Sequence, residues 1–174
     1  YDGIAVLNSA DFDEKQLEDK ISSIPQVDKS MLMQSTDGIA ENESENQSVS
    51  MIVPKAPENM GDYIDLVSAE NGSNLEVKSG SVIITQKLAK LLDLKTGDTI
   101  TIKLSGHEEK EFKIGGVSKN YALHYIYITP DDFESVYGEK PVYNLSFIDL
   151  KKDTDENSFK EQLISNDEFY GISF

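Results

Sequence analysis

Two strand–helix–strand patterns bracket this chain, and they restrict its fold more than any other feature. The first begins with the apolar run "GIAVLN" and continues into "SADFDEKQLEDKISSI". Ser9 or Asp11 is the expected cap of a helix whose apolar residues Leu17, Ile21 and Ile24 share one face, with Pro25 as its stop. "VDKSMLMQS" follows as a second strand. The last residues repeat the scheme: "VYNLSFIDL", then "DTDENSFKEQLIS" with Asp153 or Thr154 as cap, then "FYGISF". Paired units of this sort commonly share one sheet with helices on one face, the split βαβ arrangement.

The middle of the chain carries a different rhythm. "TDGIAENESENQSVSMIV" predicts two strands joined by a polar tip, because Glu41 to Asn46 contains nothing apolar. That tip lacks the Asp/Asn-x-Asp/Asn-x-Gly pattern of a calcium loop and reads as solvated. "GDYIDLV" predicts a further strand, and Asn71-Gly72 a turn. The stretch "ITQKLAKLLDLKTGDTITI" then packs leucines at helical spacing before strict alternation. Thr85 is the expected cap, Leu88, Leu91 and Leu92 the inward face, and Gly97 the left-handed residue that closes the turn. Ile100, Ile102 and Leu104 line one strand face, and "HEEKEFKIGGV" returns antiparallel with Phe112 and Ile114 inward. The glycines of "IGGV" lack the spacing of a dinucleotide fingerprint and suit a bulge.

In "SKNYALHYIYITPDDFESVYG", Tyr125 and Tyr127 alternate with Ile126 and Ile128. Thr129, Pro130, Asp131 and Asp132 then start a helix that Gly138 ends. The expected class is α+β: a mixed α/β core of two strand–helix–strand units, residues 1–57 and 139–174, with a β-rich lobe, residues 58–138, inserted between them.

Chemistry is scarce. The chain has no cysteine, which excludes disulfides, thiolate metal sites and a cysteine nucleophile. It has 16 Lys and Arg against 32 Asp and Glu, a net charge of −16 that repels nucleic acid and anionic lipid. No run approaches the roughly 18 apolar residues of a membrane span. The carboxylate pairs fall at turns and helix starts, where capping and solvation explain them. Four Asn-x-Ser triplets, at Asn42, Asn46, Asn71 and Asn144, read as chance in an Asn- and Ser-rich chain. No catalytic residue, metal ligand set or cofactor site is expected, so the reading is non-enzymatic. His107 is expected in an exposed turn. Tyr121, His124, Tyr125 and Tyr127 form the candidate contact surface for a substrate or partner, since tyrosine offers broad contact area at little entropic cost. The chain opens at Tyr1 and stops at Phe174 inside what read as strands, which suggests a fragment of something longer.

From "SVIITQKLAKLLDLKTGDTITIKL" through "NYALHYIYITPDDFESVYG" the sequence resembles the extracytoplasmic domain of FtsX/MacB-like ABC-transporter permeases, the large Gram-positive members in particular. The resemblance implies a domain at the outer face of the cell membrane, flanked by two transmembrane helices and served indirectly by a separate cytoplasmic ATPase. It implies no catalysis in this piece, but movement that expels or relays an extracytoplasmic substrate or activates a partner protein. Within it, Leu88, Leu91, Leu94, Gly97 and Asp98 are expected to hold the helix–turn–strand unit together. "LAKLLDLKTGDTITI" also resembles the swapped-hairpin and double-psi barrel modules of small DNA-binding regulators, which the negative charge disfavours. A freestanding surface adhesin or binding domain is the remaining alternative.

Overall fold

The structure, a computed structural model, describes residues 1–120 and 123–174. The chain divides into two compact units, residues 1–34 with 142–174, and residues 35–141.

The first unit holds β1 (Gly3–Leu7), α1 (Glu14–Ser22), the first half of β2 (Val27–Glu41), β8 (Leu145–Leu150), α4 (Glu156–Ile164) and β9 (Phe169–Ser173). Its strands run β2–β8–β1–β9, all antiparallel. This is the split βαβ order expected from the two bracketing patterns. Ala5, Leu7, Leu32 and Ile148 pack against Leu17 and Ile21 of α1 and Phe159 and Leu163 of α4. Burying a side chain of this size stabilises by about 1.5–3 kcal/mol, and the four helix residues carry no more than 1% exposure. Ile4 is the pairing partner of Ser173, so the start of β1 lies beside the end of β9.

The second unit adds β3 (Asn46–Pro54), β4 (Val82–Thr85), α2 (Gln86–Leu92), β5 (Thr99–Leu104), β6 (Glu109–Ser118), β7 (Tyr125–Tyr127) and α3 (Pro130–Tyr137). Neighbours run β3–β7–β4–β6–β5–β2, and β2 pairs back to β3. The ring closes, so the inserted lobe is a six-stranded barrel. Closure removes the free edges that an open sheet of short strands would expose. Its interior is filled by alternating residues, among them Met51, Val53, Ile84, Ile100, Ile102, Leu104 and Ile126, with Leu88 and Leu92 of α2 and Phe133 of α3. A bulge at Gly115 shifts the β4–β6 register between Val82 and Ile83. A Cβ at Gly115 would collide with the Ser81 side chain, so glycine is required there.

Several local expectations are corrected. The units divide at residues 34 and 142, not at 57 and 139, because the second half of β2 pairs with β5 and β3 pairs with β7 inside the barrel. The cap of α1 is Asp13, which exchanges hydrogen bonds with Gln16 in a capping box. Asp11 is occupied elsewhere: its carboxylate accepts from the Asn8 amide, and its backbone N–H donates to Asn8 Oδ1. The cap of α4 is Asp155, while the Thr154 hydroxyl donates to the Lys151 carbonyl and Asp153 adopts φ 66° in the turn before it. "GDYIDLV" is not a strand. A 3-10 turn over Pro57–Asp62 takes up its first two residues, and only Val67 within it makes an isolated bridge, to Asn74. The polar tip is more than a solvated loop. Asn42 Oδ1 accepts from the backbone of Ser44 and Glu45, and Asn42 Nδ2 donates to the Leu92 carbonyl at the end of α2.

Candidate functional site

The helix–turn–strand unit is built from both local and distant contacts. Leu88 and Leu92 are buried in the barrel, and Leu94 is half-buried against it. Leu91 is 39% exposed, which corrects its expected inward position. The buried side of the helix is centred on Leu88, Ala89 and Leu92, and at about 100° per residue Leu91 lies roughly a quarter-turn away from that centre. The helix closes one turn earlier than expected, at Asp93 with φ 52°. Gly97, at φ +94°, then lets the chain reverse, and its N–H donates to the Ile114 carbonyl. Asp98 completes the turn: Oδ2 accepts from the Lys95 N–H at 3.0 Å, and its carbonyl accepts from Ile114.

Thr85 departs from its expected role. It precedes α2 but makes no side-chain cap. Its fully buried hydroxyl donates to the Leu123 carbonyl at 2.8 Å and accepts from the Tyr125 N–H at 3.3 Å. From the other side, the Ser50 N–H donates to the His124 carbonyl. Residues 123–125 are thereby held between β4 and β3, where they form one wall of a cleft of about 490 Å³.

Asp37 of β2, Ser50 of β3 and Lys87 of α2 line this cleft together with Leu123, His124 and Tyr125. Ser50 Oγ donates to Asp37 Oδ1 at 3.0 Å. His124 Nδ1 lies 3.1 Å from the Ser48 carbonyl. A carbonyl only accepts, so Nδ1 carries a proton and Nε2 is the ring nitrogen left to meet a ligand. Gly38, beside Asp37, is needed because a Cβ there would stand 2.7 Å from the Lys103 carbonyl oxygen of β5.

Of the four residues expected to form a contact surface, His124 and Tyr125 border the cleft. Tyr127 does not. It is 3% exposed and meets Tyr125 edge-on at 6.1 Å. Tyr121 lies outside the described residues. Sequence reasoning missed Asp37, Ser50 and Lys87, which sit on three separate elements and carry no shared motif.

His107 is more restrained than an exposed turn residue. Its Nε2 lies 2.7 Å from Glu139 and its Nδ1 2.9 Å from the Ser105 carbonyl. Both partners are acceptors, so the protonated ring satisfies both at once, and the Glu139 hydrogen bond raises its pKa above the ordinary histidine value. The ring also meets Tyr137 edge-on at 5.0 Å. Burial pushes the Tyr137 hydroxyl up to about 12. Among the described residues, no group of three or more His, Asp or Glu side chains is placed to hold a metal ion.

The architecture has solved counterparts. The extracellular domain of the noncanonic ABC-type transporter YknZ from Gram-positive bacteria matches with a TM-score of 0.59 and 16% identity, over 97% of this chain and 97% of that one. The periplasmic region of MacB from Actinobacillus actinomycetemcomitans matches with a TM-score of 0.57 and 12% identity, over 98% of this chain and 86% of that one. This chain has the fold of the MacB and YknZ ectodomains. No protein-family model and no curated protein matches it. At these identities the likeness to the MacB-type domains is one of backbone, so the cleft residues stand on their own geometry. No helix among the described residues is long and apolar enough to cross a membrane.

Proposed function

We propose that this chain is the extracytoplasmic domain of an ABC-transporter permease, without catalysis of its own, which passes ATP-driven motion outward and contacts a substrate or partner there. The observation that carries this reading is the mutual coverage with the YknZ extracellular domain, 97% of each chain. The placement of β1 beside β9, with Ile4 opposite Ser173, supports it further. Antiparallel partners lie about 5 Å apart, so helices entering and leaving at these strands would grip the first unit at one place. A change in their tilt would then displace that unit as a lever. The separate ATPase acts through those helices and not through any residue described above.

The test uses the full-length protein in intact cells. The chain has no cysteine, so a cysteine at exposed Glu161 supplies a single thiol within it. A membrane-impermeant maleimide should label that thiol from outside, and the reading frame should carry an apolar segment of about 20 residues on each side of the chain. Labelling only after lysis, or a frame lacking either segment, overturns the reading. A surface-exposed thiol in a frame without these segments would leave a freestanding binding domain in its place.

A further inference from the structure

The cleft bordered by residues 123–125 brings unlike charges to one cavity without letting them pair. Among the described residues Lys87 makes no ion pair, although Asp37 lines the same cavity. Asp37 uses Oδ1 to accept from Ser50 Oγ, and its second oxygen has acceptor capacity left. His124 holds its Nδ1 proton toward the Ser48 carbonyl, which leaves Nε2 available. Leu123 adds an apolar contact and is 48% exposed.

A ligand of one charge suits this lining poorly. A simple anion would meet Lys87 but also Asp37, within a chain of net charge −16. A simple cation would be attracted by Asp37 and repelled by Lys87. A molecule carrying both charges satisfies both residues, and two charge-assisted hydrogen bonds fix its orientation. The cavity volume of about 490 Å³ lies within the range of small-molecule sites, roughly 300–1,000 Å³.

We propose that this cleft binds a small zwitterion with an apolar body, its carboxylate on Lys87, its ammonium on Asp37 and its side group on Leu123. Free amino acids and short peptides share this chemistry. The inference goes beyond the transporter reading, since it concerns the 174-residue chain alone.

The chain is titrated with L-leucine and with leucyl-leucine, followed by amide ¹H–¹⁵N shifts at low ionic strength. Saturable shifts at Ser50, His124 and Tyr125 are expected, and the tighter of the two probes identifies the source. N-acetyl-leucyl-leucine and leucyl-leucine amide should each bind about tenfold more weakly, as should the parent probe to Asp37→Asn and Lys87→Gln. Both substituted residues are exposed, and an unchanged unfolding midpoint would show that each variant folds. Absence of saturable shifts with either probe overturns the proposal. So does equal binding of the capped peptides, or unaltered affinity in both variants.

Discussion

The Thr85 hydroxyl donates to the Leu123 carbonyl at 2.8 Å, although Thr85 stands where a helix cap is expected. Helix α2 therefore begins without side-chain capping, and the donor is used to hold the cleft wall. Thr85 carries 0% exposure, so its hydroxyl relies on protein partners. Replacing Thr85 with Val keeps the shape and removes donor and acceptor together, so the Leu123 carbonyl and the Tyr125 N–H both lose their bonds to it. The expected cost is about 1–3 kcal/mol by urea unfolding, with amide shifts concentrated at 123–125. Thr85→Ser should retain most of the stability. Full stability in Thr85→Val together with a loss in Thr85→Ser would show that the methyl group matters and the hydroxyl does not.

Leu88 and Leu91 look equivalent in sequence but differ in burial, at 0% and 39% exposure. Leu88→Ala opens a cavity in the barrel and should cost about 2–5 kcal/mol. Leu91→Ala should stay within about 0.5 kcal/mol, as surface changes usually do. Comparable destabilisation of the two variants in denaturant melts would contradict this placement of α2.

His107 should make stability depend on pH. Its folded pKa is raised, first by the hydrogen bond to Glu139 and then by the Ser105 carbonyl. A raised folded value means the protonated ring favours the native state. That contribution is full below the ordinary histidine value of about 6.5 and fades as pH climbs through the raised one. The gap in melting temperature between the parent and His107→Gln should therefore be widest in acid and narrow toward alkaline pH. A gap that grows with pH would reverse the assignment. Glu139→Gln should remove most of the dependence, since it removes the principal cause.

At Gly115 the bulge leaves no room for a side chain, because Ser81 occupies the space. Gly115→Ala should destabilise by about 1–3 kcal/mol through overpacking. Adding Ser81→Gly should recover part of the loss, and a double-mutant cycle isolates the coupling. Strictly additive effects would mean that the two positions do not compete for the same volume.

Local rules were most legible where one short segment satisfied several of them together. Thr129 accepts from the Asp132 N–H, Pro130 takes the first turn and Gly138 ends α3 at φ 73°, as the sequence predicts. The alternation of Ile100, Ile102 and Leu104 likewise yields three residues at 0% exposure. Caps were less legible where acceptors crowd together. Ser9, Asp11 and Asp13 are all reasonable caps for α1, and only the Asn8–Asp11 contact shows that Asp11 is already engaged. "GDYIDLV" has the composition of a strand but pairs only through Val67, in an isolated bridge to Asn74.

The cleft was half legible. His124 and Tyr125 stand out as an aromatic cluster, yet Tyr127 belongs to the interior. Asp37, Ser50 and Lys87 carry no local signal, since nothing in a lone Asp, Ser or Lys tells which distant strand will face it.

Residue order alone was enough for the two strand–helix–strand units, the helix α3, the β5–β6 hairpin and the absence of cysteine chemistry. These follow from periodicity, turn residues and composition, which act over a few neighbouring positions. It took the folded chain to show that the inserted strands close into a barrel, that Thr85 serves Leu123 instead of its helix, and that Asp37 and Lys87 share a cavity. Each of these depends on pairing between residues far apart in the chain, where long-range packing and hydrogen bonding outweigh the local preference that the sequence displays.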